Sequence, residues 1–86
     1  MLEELRAEID AIDDKITALY LERLKVVARV AEEKKKSGGM IFDPERERKI
    51  LARLTSGVSD ELKPFIKEVY SSVFATAKAY ERTLTK

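Results

Sequence analysis

From Leu2 to Val30 the apolar positions recur in alternating steps of three and four: Leu2, Leu5, Ile9, Ile12, Ile16, Leu19, then Arg23, then Val26 and Val30. That repeat describes the seam of a long helix packed against other helices. The segment is rich in Ala, Glu, Lys and Leu and runs to about Lys36, where Ser37-Gly38-Gly39 supplies residues that tolerate a left-handed C-cap. A second helix opens at Asp43-Pro44-Glu45, with a capping carboxylate, a proline at the first helical position and an acid in the first turn. Ile50, Leu51 and Leu54 give it an apolar face, and Gly57 breaks it. Ser59-Asp60-Glu61 is expected to open a third helix. Its stripe is Phe65, Ile66, Val69, Tyr70, Val73, Phe74, Ala77, Tyr80 and Leu84. Pro64 is tolerated because it falls within the opening turn. The expected fold is all-α, with one long, one short and one medium helix in a single domain covering residues 1–86.

The first helix is too long for a solitary globule. At about 1.5 Å per residue, roughly 35 residues extend about 50 Å. A compact chain of this size has a radius of gyration of about 12 Å, hence a diameter of about 30 Å. The helix would protrude with its seam exposed. Two chains with antiparallel long helices, and the shorter helices wrapped over the partner, would bury that seam twice, so an intertwined homodimer is expected.

The charge balance narrows the function. The chain carries 17 basic and 16 acidic residues, with no histidine, cysteine or tryptophan. A net charge of +1 gives no general basic field, so nucleic acid and membrane are not expected partners. With no signal peptide or apolar span in view, the reading is cytoplasmic. Nucleophilic catalysis lacks its usual groups, metal ligation would have to use carboxylates alone, and no cofactor is expected.

Arg23 interrupts the apolar seam, and a guanidinium there must find partners or suffer a large desolvation penalty. Arg23 and Lys34 are separated by about three helical turns and share nearly one face, roughly 16 Å apart along the backbone. Arg6 is about 25 Å from Arg23 on the same helix, too far to share a small ligand in one chain, but an antiparallel partner's copy could arrive. Arg46 and Glu47 fall in the first turn of the second helix, whose N-terminus favours an anion. Together these cations suggest a small, multiply anionic ligand.

The order Leu5-Arg6-x-x-Ile9-Asp10-x-Ile12-Asp13, then Glu22-Arg23, Lys34 and Asp43-Pro44-Glu45-Arg46-Glu47, resembles the all-helical chorismate mutase family across almost the whole chain. The resemblance implies an intertwined three-helix dimer that converts chorismate to prephenate in aromatic amino-acid biosynthesis. The reaction is a unimolecular Claisen rearrangement, which needs a compact substrate conformer and stabilisation of charge at the breaking ether bond. By similarity, Arg23 clamps one carboxylate with Arg6 of the other chain, and Arg46 approaches the second carboxylate. Lys34 donates to the ether oxygen, Glu47 accepts from the ring hydroxyl, and Asp43 helps to bind that hydroxyl through its backbone. The resemblance gives Glu81 the family's glutamine-or-glutamate position at the ether oxygen, where a glutamate donates only when protonated. Lys34, Glu81 and Arg23 are thus the expected catalytic residues.

Each residue also has a plainer reading. Arg23 reads equally as a seam arginine paired with a carboxylate, and Lys34 belongs to a Lys34-Lys35-Lys36 run that complements a helix C-terminus. Asp43 is explained as a cap, while Arg46, Glu47, Arg6 and Glu81 are surface charges by default. Tyr70, Phe74 and Tyr80 read as core. Lys78, a turn before Glu81, stands where an apolar residue is expected and is a candidate partner for it. Two other functions stay open: an isochorismate-pyruvate lyase on the same fold, and a noncatalytic helical dimerisation or regulatory module.

Overall fold

A computed structural model describes residues 1–85 and contains three helices: α1 (Leu2–Ser37), α2 (Pro44–Thr55) and α3 (Lys63–Leu84). The long α1 ends as its sequence requires. Gly38 takes a left-handed φ of 74°, and its N–H bonds back to the Lys34 carbonyl. Asp43 caps α2 by accepting from the Arg46 N–H at 3.0 Å, with Pro44 entering the first turn.

The start of α3 differs from expectation. Residues 59–62 form a turn in which the N–H groups of Leu62 and Lys63 both bond to the Ser59 carbonyl, and the helix proper begins at Lys63. Pro64 explains the shift. Its ring fixes φ but supplies no N–H, which is harmless in a first turn and disruptive deeper inside a helix.

α3 is the element on which the other two meet. It packs on both α1 and α2, whereas no Cα of α1 comes within 8 Å of one in α2 among the described residues. The core is small and lies at one end: Ala31, Ile50, Phe74 and Ala77 are buried, with Thr55 and Glu81 as buried polar residues. Tyr70 meets Phe74 edge to face at 5.6 Å. Across the α1–α3 contact, the Tyr20 hydroxyl bonds to Thr76 Oγ1.

Much of the N-terminal part of α1 is left uncovered among the described residues. The principal extents are 53 × 26 × 15 Å and the radius of gyration is 15.8 Å, well above the value of about 12 Å for a compact chain of this length. Leu5, Ile9, Ile12, Ile16 and Leu19 stand exposed along one edge. The α3 stripe is only partly core: Phe74 and Ala77 are buried, but Phe65, Val69 and Tyr80 are exposed. Ile16, Leu19 and Tyr20 of α1 share a shallow hollow with Val69, Tyr70 and Val73 of α3. No helix among the described residues is long and apolar enough to cross a membrane.

Candidate active site

The gap between α1 and α2, floored by α3, is a pocket of about 430 Å³. That volume falls within the range of small-molecule sites, roughly 300–1,000 Å³. Arg23 and Lys34 enter from α1, Asp43, Arg46 and Glu47 from the start of α2, and Glu81 from α3. Of the residues expected in the site, a single chain brings all but Arg6 to one hollow. Arg6 is exposed near the free end of α1.

Local geometry explains how each side chain gets there. Arg23 and Lys34 share a helical face, with Val27 and Val30 between them as the apolar wall of the pocket. The cap at Asp43 sets the entry of α2, so Arg46 and Glu47 emerge from its first turn toward the gap. On α3, Phe74, Ala77 and Glu81 lie on one face at helical spacing, and the small Ala77 leaves room above the floor.

The ion pairs decide which charges stay available. Lys34 Nζ donates to Glu81 Oε1 at 3.1 Å and to the Ile41 carbonyl at 3.3 Å, so one side chain joins α1, α3 and the α1–α2 connection. Glu81 is only 5% exposed, and this pairing satisfies a carboxylate that would otherwise be costly to bury. Lys78 Nζ donates to Glu47 Oε2 at 2.9 Å. The expected Lys78–Glu81 pair therefore does not form: Glu81 is held by Lys34 and Lys78 by Glu47. Asp43 is engaged in its cap. Among the described residues, no carboxylate lies within ion-pairing distance of Arg23 or Arg46, so two guanidinium groups face the pocket uncompensated. A planar fork of donors at each makes the hollow suited to a ligand with more than one carboxylate. No cluster of three metal-ligating side chains occurs among the described residues.

Sequence reasoning missed Val27 and Ile41 as pocket walls and Lys78 as the partner of Glu47. Val27 was findable, being one turn from Arg23 on the face that leads to Lys34. The partner of Lys78 lies on another helix and had no local signal.

The chain matches the family described as "Chorismate mutase type II" over residues 5–82. It is 42% identical over 73 residues to the bifunctional chorismate mutase/prephenate dehydratase of Aquifex aeolicus, covering 85% of this chain and 18% of that one. It is 36% identical over 81 residues to the T-protein of Haemophilus influenzae, covering 83% and 22%. Against the chorismate mutase of Methanocaldococcus jannaschii the identity is 47% over 53 residues, covering 62% and 54%. The chain thus spans about a fifth of the first two relatives and about half of the third. No solved structure matches.

Proposed function

The chain belongs to the chorismate mutase type II family, and from that premise we propose that it rearranges chorismate to prephenate in the pocket between α1 and α2. The observation that carries this reading is the pairing pattern: Arg23 and Arg46 remain uncompensated in a hollow where Lys34 and Glu81 are already joined. Chorismate has two carboxylates, an ether oxygen and a ring hydroxyl. Arg23 takes one carboxylate, Arg46 the other, Lys34 and Glu81 face the ether oxygen, and Glu47 accepts from the hydroxyl beside the backbone of Asp43.

The chemistry requires little beyond this. As the carbon–oxygen bond breaks and the new carbon–carbon bond forms, negative charge grows on the ether oxygen, and a donor already in place stabilises it without reorganisation. Holding both carboxylates confines the flexible enolpyruvyl arm to its reactive arrangement. Lys34 supplies a charged donor. Glu81 supplies a second donor in its protonated form.

Residues 1–86 act as one domain in this proposal, and two copies pair through the exposed α1 seam. That pairing would cover Leu5 to Leu19 and bring Arg6 of a second copy toward Arg23. The apolar edge of the isolated chain supports it, because a row of large exposed side chains is unfavourable unless something covers it. Loss of chorismate absorbance on adding purified protein, with the product identified, tests the assignment. Prephenate is the expected product; pyruvate release would point instead to a lyase, and absence of turnover by a folded protein would end the mutase reading.

A further inference from the structure

Lys78 interrupts the apolar face of α3 just after the buried Ala77, and it makes two contacts that the proposed reaction does not itself use. Its Nζ donates to Glu47 Oε2 at 2.9 Å and stands 4.4 Å from the centroid of the Phe42 ring. The pair is largely sheltered, with side-chain exposures of 20% for Lys78 and 25% for Glu47. Phe42 directly precedes the Asp43 cap, in the connection that Lys34 also holds through the Ile41 carbonyl. One ammonium thus ties α3 to the first turn of α2 and to the rim of the pocket.

The electrostatics give that tie a purpose. Glu47 lines the same hollow as Arg23 and Arg46, which have no carboxylate partner among the described residues. The terminal torsion of a glutamate is soft. An unrestrained Glu47 would be drawn toward either guanidinium and would neutralise the charges that an incoming dicarboxylate needs. An ammonium bonded to Oε2 holds the carboxylate at the α3 side and leaves Oε1 without a protein partner among the described residues.

We propose that Lys78 is a positioning residue: it restrains Glu47 so that the two arginines stay open to the anionic ligand and Oε1 stays open to the ligand's hydroxyl, and through Phe42 it clasps the pocket rim. The ligand part of this inference rests on the function proposed above; the clasp does not.

The test is a double-mutant cycle in the full chain. Lys78→Met is expected to raise KM for chorismate about tenfold while kcat changes by less than about threefold, because the lost interaction protects binding more than chemistry. Lys78→Arg, which can keep both contacts, should stay close to wild type. In a Glu47→Gln background the further change Lys78→Met should leave KM unaltered, since no competing carboxylate remains. In the ligand-free protein, amide hydrogen exchange over residues 41–46 should accelerate in Lys78→Met. If Lys78→Met does not fold, Lys78→Gln takes its place in every arm. Equal KM increases in both backgrounds, or unaltered exchange, overturns the proposal. A wild-type protein that does not turn over chorismate defeats the functional reading alone, and the exchange measurement, which needs no substrate, then decides whether Lys78 is a clasp.

Discussion

Lys34 Nζ lies 3.1 Å from Glu81 Oε1, joining the last turn of α1 to the far half of α3 through a carboxylate that is almost wholly buried. Before any ligand arrives, the two groups assigned to the ether oxygen are therefore bonded to each other. A ligand that takes up Lys34 must share it with Glu81, and Glu81 can donate in turn only after gaining a proton.

The first prediction concerns that donor. Glu81→Gln replaces a carboxyl, which donates only when protonated, by an amide that always carries N–H donors, so this variant is expected to match or exceed the wild-type kcat/KM, whereas Glu81→Ala, which offers no donor, should lower it by about 10²-fold or more. Steady-state kinetics of the three proteins check this. A loss in Glu81→Gln as deep as that in Glu81→Ala would remove Glu81 from the ether oxygen.

Arg23 and Arg46 lack carboxylate partners among the described residues, so truncating either leaves no orphaned acid behind. Arg23→Ala and Arg46→Ala should each lower kcat/KM by about 10²-fold or more, the scale set by losing a preorganised charged contact, and change stability by less than about 1 kcal/mol. Thermal melts beside steady-state kinetics separate the two effects. A large loss of stability would mean that these arginines are structural.

Lys34 behaves differently, because removing it strands Glu81. Lys34→Ala should abolish most activity and also destabilise the fold by about 1–3 kcal/mol, the cost of leaving a buried polar group unsatisfied. The double change Lys34→Ala with Glu81→Leu should recover stability and not activity. Denaturant titration of both variants decides it.

The contribution of Arg6 is a prediction about two chains. If two copies pair as proposed, wild-type protein should sediment as a dimer and Ile12→Asp, in the middle of the exposed seam, as a monomer in analytical ultracentrifugation, since a charge placed in an apolar interface is expensive to bury. Mixing inactive Arg6→Ala with inactive Arg23→Ala should restore about a quarter of wild-type activity. In a two-fold pair, half of the random dimers would be mixed and each would hold one intact site. No recovery after subunit exchange would place Arg6 outside the site.

The helices and their ends were legible in the sequence because the signals are local. A three-and-four stripe, a glycine that tolerates positive φ and an Asp-Pro start act within a few residues, and Gly38, Asp43 and Pro44 play those parts. The opening of α3 was misjudged by a few residues because Ser59-Asp60-Glu61 and Leu62-Lys63-Pro64 offer competing starts, and the proline constraint wins. Of the candidate site, helical spacing put Arg23 and Lys34 on one face, while the roles expected of Arg6, Asp43, Arg46, Glu47 and Glu81 came from the family resemblance.

Pairing was another matter. By itself the chain determined three helices, a charged interruption in an apolar seam and a series of cations, each ordinary alone, whose joint order and spacing carried the family resemblance. Tertiary structure decided that α3 separates α1 from α2 and opens the pocket, that Glu81 belongs to Lys34 and Glu47 to Lys78, and that Arg23 and Arg46 line the pocket with no carboxylate partner among the described residues. The physical reason is one of range. Helix formation and capping depend on neighbours within about a turn, whereas an ion pair between helices depends on where distant backbones are brought together, and several lysines and glutamates in this sequence were equally eligible until packing chose among them.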